Sequence, residues 1–209
     1  MKRSLKGNIM TETECFISVD IEATGPTPGK YSMYELGASV VGEESERFAA
    51  DITLLSPRSY LQETLTAMGI PSVSVLYTRE KAQSPEKAMC GFARWVKKVS
   101  RKKTPVFTGN NAPFDWMFVA WYFTHTGIKN PFGHNALDMK AYFMGLRHSR
   151  IWKEATLKEM AHCTGISFTV LPHNAIEDAL IQAKIFAVLL AKAETLGKED
   201  FHRAVCECE

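Results

Sequence analysis

Two carboxylates, Asp20 and Glu22, are separated by a single residue in a stretch where apolar and polar residues alternate. One face of the predicted strand carries these acids, and the other carries Ile17, Val19 and Ile21. Carboxylates held this close together repel each other and lose hydration, so a buried pair needs cations. The pair therefore indicates a cation site if the strand is central, or a wet polar face if it lies at the edge of a sheet.

Three further residues are candidates for the same chemistry. Asp115 and Asp178 each fall in the first turn of a predicted helix, and His173 lies just before the last helix. An acid at a helix N-terminus is stabilised by the helix dipole by roughly 0.3 to 1 kcal/mol, so each aspartate alone has a purely structural interpretation. A single histidine at a helix start is likewise most often a hydrogen-bonding surface residue.

The elements that would position these residues follow from residue periodicity and turn chemistry. Strand-like stretches at 15–22, 33–41 and 47–54, with an acidic turn at 42–46, predict an antiparallel meander. Capping residues predict helices from Ser84 to about residue 101, from Thr156, and from Asn174 to about residue 196. A short strand at 105–108 leads into a helix that begins near Pro113. This order predicts an α/β domain with helices layered around a mixed sheet.

Length and composition set the class of protein. The chain has 209 residues, 45% of them hydrophobic and 23% charged, with a net charge of +2, as expected for one globular domain. We expect a flexible basic arm at 1–14, the domain at 15–196 and a tail at 197–209. The longest apolar run, 116–123, has eight residues, against about 20 for a membrane span, which predicts no membrane association. Five cysteines without a paired framework predict reduced thiols and a cytoplasmic location.

Three segments together resemble a known family. They are Phe16–Gly25 (FISVDIEATG), Asn111–Asp115 (NAPFD) and His173–Ala179 (HNAIEDA), which are similar in order and spacing to the three exonuclease motifs of the DEDDh family of 3′→5′ exonucleases. The resemblance covers about residues 15 to 190. Because position 174 is Asn, the chain resembles the histidine branch of this superfamily and not the tyrosine branch.

The resemblance implies an RNase H-like fold and a role for each motif residue. Asp20, Glu22, Asp115 and Asp178 would hold two divalent cations, Mg²⁺ or Mn²⁺, with Asp20 as the bridging ligand, and His173 would act as the general base. Two such cations can stabilise the charge that develops when a phosphodiester is hydrolysed. A histidine, with an ordinary pKa of about 6.5, can accept a proton from water near neutral pH.

The same resemblance implies secondary positions and partners. Ala23, Thr24 and Asn111 match positions around the terminal nucleotide, and Phe114 either stacks on a base or packs in the core. Asp138 matches a further family acid but is left out of the metal set, and Glu35 is given a structural role. The implied partners are 3′ ends of single-stranded DNA or RNA, with a homodimer and a polymerase partnership also possible for the family.

Two alternatives stay open at this point. The first is a non-catalytic RNase H-like module that binds nucleic acid or protein, which the presence of all five motif residues disfavours. The second concerns the basic segment Lys97–Lys103, with five cations in seven residues. This segment is either a solvated helix end or a contact for nucleic acid phosphates.

Overall fold

The computed structural model describes residues 13–55, 59–168 and 173–195. Most of the predicted basic arm and the whole predicted tail lie outside these residues. The sheet of the described part has five strands: β1 (Glu14–Ala23), β2 (Met33–Val40), β3 (Glu43–Asp51), β4 (Thr104–Gly109) and β5 (Ala136–Asp138). The strand order is β3-β2-β1-β4-β5. β1, β2 and β3 pair antiparallel, as the predicted meander requires, whereas β4 and β5 run parallel to β1.

Seven α-helices and one short 3-10 turn flank the described sheet. They are α1 (Gln62–Ala67), α2 (Ser74–Tyr77), α3 (Pro85–Ser100), α4 (Ala112–Thr126), α5 (Met139–Leu146), the 3-10 turn Trp152–Glu154, α6 (Leu157–Thr164) and α7 (Ala175–Thr195). The predicted caps are confirmed, because the side chains of Ser84, Thr156 and Asn174 accept hydrogen bonds from the first turns of α3, α6 and α7. None of the described helices has the length and apolar character that a membrane span requires.

β1 lies at the centre of the sheet and is covered on both faces. Ile17 and Val19 are fully buried in a core with α3 and α4. On the opposite face Ser18 is also fully buried, and the apolar side chains of α5, α6 and α7 form a second core there. The alternative of an edge strand with a wet polar face is therefore wrong, since β1 is central, Glu22 is buried and Asp20 is half-buried.

The third strand begins earlier than the turn residues predict. Glu43, Glu44 and Glu46, assigned to a turn, belong to β3. β3 is the edge strand, so these acids face water while their backbone pairs with β2, and Lys184 and Lys98 approach two of them. The strand also ends at Asp51 and does not reach Leu54.

The parallel strands give the sheet two distinct ends. Asp20 and Glu22 lie toward the C-terminal end of β1, whereas Lys97–Lys103 leads into the start of β4, which pairs with the start of β1 at Glu14. Asp20 lies six residue steps along β1 from Glu14, about 20 Å at 3.3 Å per residue. The basic segment therefore lies at the opposite end of the sheet from the acids, which favours the solvated helix end.

Candidate active site

The end of β4 brings Asp115 to β1. β4 pairs with β1 only as far as the Ser18–Thr108 pair, so the backbone N–H of Ile21 finds no strand beside it. It donates instead to Oδ1 of Asp115 at 3.0 Å, from the first turn of α4. The Asp115 carboxylate thus accepts the hydrogen bond that a neighbouring strand would otherwise accept. This bond holds Asp115 next to Asp20 and Glu22.

A glycine in β2 brings the start of α7 onto the same end of the sheet. Gly37 is the register partner of Asp20. A Cβ atom at Gly37 would overlap the backbone carbonyl of Ala175, the first residue of α7. Because glycine has no Cβ, the helix backbone can rest directly on the strand. This contact places His173 and Asp178, which lie on either side of Ala175 in the sequence, next to the acids of β1.

His173, Glu22 and Asp178 form a compact group. One ligand atom from each of the three lies within 4.8 Å of the others. His173 is exposed and has a left-handed backbone, with φ of 50°, a conformation that costs energy for a residue other than glycine. Glu22 and Asp178 are 5% and 3% exposed. The group thus combines two buried carboxylates with one histidine that water can reach.

Burial raises the carboxyl pKa values throughout this site. The pKa of Asp20 lies well above its ordinary value because of burial and of the neighbouring charges of Asp115, Glu22 and Asp178. Burial likewise raises the pKa of Glu22 to about 8, and that of Asp115 to about 8. The pKa of Asp178 rises to about 6, again mainly through burial. Four acids that oppose one another's ionisation form a site for positive charge.

The residues fit a hard divalent cation. Oδ1 of Asp178 is buried and has no hydrogen-bond partner among the described residues, which is costly for a carboxylate unless a cation satisfies it. The converging donors are carboxylate oxygens, the ligands that Mg²⁺ and Mn²⁺ prefer. The structure therefore brings together the four acids predicted as ligands. At least one of their oxygens, Oδ1 of Asp178, is available to a cation.

These shifts predict a pH-dependent stability in the absence of divalent ions. A carboxyl group with a raised folded-state pKa keeps its proton in the folded protein after the unfolded chain has lost it. The contribution of such a group to the free energy of unfolding is complete below its ordinary pKa, which is 4.5 for Glu22. This contribution is lost as the pH rises through the folded-state pKa of about 8. In chelator we expect the melting temperature to fall by several degrees from about pH 5 to about pH 8.5.

Thermal denaturation at constant ionic strength measures this effect. Glu22→Gln removes one of the titrating groups, so its profile in chelator should be flatter than that of the wild type. Added Mn²⁺ should raise the wild-type melting temperature most at the alkaline end. A wild-type melting temperature that climbs with pH across this range would contradict the assigned shifts.

Gln182 is a part of the site that sequence reasoning missed. It lies one helical turn after Asp178, is 2% exposed, and donates from Nε2 to Oδ1 of Asp20 at 2.7 Å. Its Oε1 accepts from the backbone N–H of Asn110 at 2.8 Å, which fixes the orientation of the amide. The only available signal was its position four residues after Asp178 on the same helix.

Replacing Gln182 should weaken the site without unfolding the protein. Gln182→Met keeps the length of the side chain but leaves Asp20 without its donor, and we expect a loss of about 10- to 100-fold in Mn²⁺ affinity or turnover. Calorimetric titration with Mn²⁺ and single-turnover cleavage measure the two quantities. Gln62→Met, at the start of α1, is the matched control and should behave as the wild type. If Gln182→Met also matches the wild type, the amide has no part in orienting Asp20.

Glu35 and Arg79 anchor the start of α7. Oε2 of Glu35 accepts from the backbone N–H of Ala175 at 3.3 Å, and its Oε1 accepts from Arg79 at 2.5 Å. Arg79 also pairs with Asp51 at 2.9 Å. The structural role predicted for Glu35 therefore has a contact that explains it, whereas the role of Arg79 had no signal in the sequence.

Two of the predicted substrate residues, Ala23 and Thr24, are buried at the end of β1. The Thr24 hydroxyl donates to the Ser59 carbonyl and accepts from the Ser32 N–H, both at 3.0 Å. Its backbone carbonyl accepts from the N–H of Leu61. Thr24 thus fixes the loop around Ser59 beside the acids, and a role for either residue in contacting substrate stays a prediction.

Asn111 and Phe114 lie at the start of α4, together with Asp115. Asn111 is exposed, has φ of 62° and makes no capping bond with its side chain, so its amide is open to solvent. Phe114 is half-buried and packs on Phe118 with ring centroids 5.4 Å apart. Both oxygens of Asp138 accept backbone N–H donors, from Ala112 and Ala141, which agrees with its omission from the metal set.

The comparisons with known proteins identify a 3′→5′ exonuclease. Residues 15–190 match the family model of the 3′-5′ exoribonuclease Rv2179c-like domain, and the chain belongs to this family. It is 36% identical over 180 residues to the 3′-5′ DNA exonuclease Cap18 of Escherichia coli, covering 86% of this chain and 93% of that protein.

Solved structures show the same fold. The nuclease domain of 3′hExo, a DEDDh family member bound to rAMP, aligns with a TM-score of 0.70 at 14% identity, covering 87% of this chain and 94% of that domain. A 3′-exonuclease solved with a histone mRNA stem-loop aligns with a TM-score of 0.69 at 12% identity, and the chain spans 66% of its length. The predicted RNase H-like fold, the family resemblance and the enzyme class are confirmed, and the non-catalytic module is set aside.

Proposed function

We propose that this exonuclease removes nucleoside 5′-monophosphates one at a time from the 3′ ends of single-stranded DNA or RNA, with two divalent cations at the acidic site. The observation that carries the proposal is the convergence of Glu22, Asp178 and His173 within 4.8 Å, next to Asp20 and Asp115. Buried carboxylates and an exposed histidine at one point suit hydrolysis of a charged phosphodiester.

The proposed ligands are Asp20, Glu22, Asp115 and Asp178. The cations would supply charge stabilisation to the phosphate and would make the attacking water more acidic. Gln182 donates to one oxygen of Asp20, and the Ile21 N–H donates to one oxygen of Asp115, so both carboxylates are oriented for a cation. The chain therefore presents the ligands in a fixed arrangement.

His173 is the proposed general base. A ring nitrogen of His173 accepts a proton from the attacking water as the new bond between oxygen and phosphorus forms. The bond between phosphorus and the 3′ oxygen of the preceding nucleotide breaks, and that oxygen takes up a proton. The products are a nucleoside 5′-monophosphate and a strand shortened by one nucleotide with a free 3′ hydroxyl. The exposure of His173 lets the accepted proton pass to solvent.

The descriptions of the relatives support both DNA and RNA as proposed substrates. The family is described as exoribonucleases, whereas the 36% identical relative is described as a DNA exonuclease. The shared chemistry is a 3′-terminal phosphodiester of a single strand, whose last nucleotide can enter the site. The homodimer and the polymerase partnership stay predictions, and the proposed reaction needs neither.

Digestion of matched oligonucleotides tests this function. DNA and RNA of one sequence, labelled at either the 5′ or the 3′ end, are incubated with Mg²⁺, Mn²⁺ or chelator. We expect the 5′-labelled strand to give a ladder that shortens step by step, and the 3′-labelled strand to give labelled mononucleotide at once. A closed circular single strand should survive. Shortening from the 5′ end, cutting of the circle or full activity in chelator would each contradict the proposal.

A further inference from the structure

An exposed apolar pair interrupts a basic segment on the described surface. Ile151 is 53% exposed and Trp152 is 47% exposed, although both side chains are large and hydrophobic. Exposure of this kind is costly unless another molecule covers the side chains. The pair begins the short 3-10 turn between α5 and α6, and Arg150 and Lys153 flank it in the sequence.

One cation lies over the indole ring, and two more flank the pair in the sequence. Nζ of Lys140 lies 4.1 Å from the ring centroid of Trp152, within the range of a cation–π contact. Arg150 and Lys153 are exposed. Within residues 13–55, 59–168 and 173–195, the ion pairs involve none of these three cations. Lys140, Arg150, Ile151, Trp152 and Lys153 are called the Trp152 patch below.

The Trp152 patch adjoins the active site through α5. Asp138, at the end of β5, accepts from the backbone N–H of Ala112 at 2.7 Å, and its charge contributes to the raised pKa of Asp115. Lys140 follows two residues later, in the first turn of α5. Lys140 thus follows the residue that links β5 to the start of α4, and its ammonium lies over the ring of Trp152. A strand whose 3′ end reaches Asp115 can therefore extend onto the patch.

We infer that the Trp152 patch binds the single-stranded segment on the 5′ side of the nucleotide being removed. Trp152 provides a surface on which a base stacks, and the three cations contact phosphates. This inference rests on the proposed function. Aromatic stacking accepts every base, so the patch would add affinity without selecting a sequence.

Charge and size favour nucleic acid over protein at this place. A stable protein interface buries about 800 Å² on each partner, whereas this patch offers one indole and one isoleucine between cations. Unpaired cations around an aromatic ring match a polyanion that carries bases. The other cationic segment, Lys97–Lys103, lies at the far end of the sheet and serves as a comparison.

Binding measurements with four variants test the patch. Fluorescence anisotropy gives the dissociation constant for a single strand of about twelve nucleotides, protected from cleavage by a 3′ phosphorothioate linkage, in Ca²⁺. We expect Trp152→Ala to weaken binding about tenfold and Trp152→Phe to stay within about threefold of the wild type. Lys140→Gln should lower the salt slope by about 0.7, as expected for one lost phosphate contact on a single strand. Lys102→Gln, at the far end of the sheet, should leave binding unchanged.

Substrate length separates the patch from the reaction itself. The inference assigns the patch to nucleotides further toward the 5′ end than a dinucleotide carries, so Trp152→Ala should cleave a dinucleotide with wild-type kcat and KM while KM for the longer strand rises. Equal affinity of Trp152→Ala and the wild type for the longer strand overturns the inference. So does a change in apparent mass of the variant without a change in affinity, which would assign the patch to contacts between copies. Absence of 3′→5′ cleavage by the wild type would instead contradict the proposed function, because binding is measured without cleavage.

Discussion

Replacing His173 with alanine should lower single-turnover cleavage by roughly 10² to 10⁴ while the enzyme still binds Mn²⁺ and a 3′ end. His173 is exposed and lies on a left-handed residue just before the N-cap of α7. Removing its ring therefore opens no cavity in either core. The function proposed for the ring is acceptance of the proton from the attacking water, so chemistry should slow while binding persists.

Three measurements on His173→Ala distinguish its possible roles. Single-turnover cleavage reports the chemical step, calorimetry reports the affinity for Mn²⁺, and thermal denaturation reports folding. His162→Ala changes another exposed histidine, on α6, and should match the wild type in all three. A parallel loss of Mn²⁺ affinity would make His173 a ligand, as its place beside Glu22 and Asp178 permits. That result would refute the general-base role.

Asp20→Asn should reduce the cleavage rate by about 10³-fold or more. Losses of this size are typical when one residue of a catalytic set is replaced. The same change should raise the melting temperature in chelator above neutral pH, because one of four repelling carboxylates loses its charge. Divalent ions should then stabilise the variant less than they stabilise the wild type. Activity and metal-free stability are thus expected to move in opposite directions.

Glu44→Gln is the matched control for Asp20→Asn. It makes the same change in net charge on the exposed edge strand, where Glu44 faces Lys184 at 3.5 Å. We expect wild-type cleavage from it and an unchanged response to Mn²⁺, since surface ion pairs contribute little to stability. Near-normal turnover of Asp20→Asn in Mg²⁺ would contradict the proposed bridging role.

Local patterns predicted much of the fold. Alternation in β1 and the capping residues of α3, α6 and α7 depend on neighbours in sequence, so the amino-acid order is sufficient to recognise them. The helix α1 could not be recognised in this way, because its single buried residue, Leu65, packs with Tyr34 on β2 and with Leu76 on the next helix. The early start of β3 was missed for a related reason, since acids are tolerated on an edge strand.

In the candidate site, too, local motifs predicted some residues, whereas residues whose roles depend on distant contacts were not predicted. Motif spacing brought out Asp20, Glu22, Asp115, His173 and Asp178, which the structure gathers at one end of the sheet. Gln182 and Arg79 were not predicted because their partners lie far away in the sequence: Gln182 bonds to Asp20, and Arg79 bonds to Glu35 and Asp51. An amide 162 residues from its carboxylate partner carries no local signal.

The contact between Gly37 and the start of α7 has a consequence for the order in which activity can appear during synthesis. A growing chain carries Asp20, Glu22 and Asp115 well before His173 and Asp178 are added. The meander and α4 can assemble early, but the histidine and the last carboxylate arrive only when α7 settles on the bare backbone of Gly37. A ribosome-bound chain that has not yet docked α7 therefore has only part of its cation site and lacks the proposed base. Such a nascent chain would not yet be able to cleave nucleic acid.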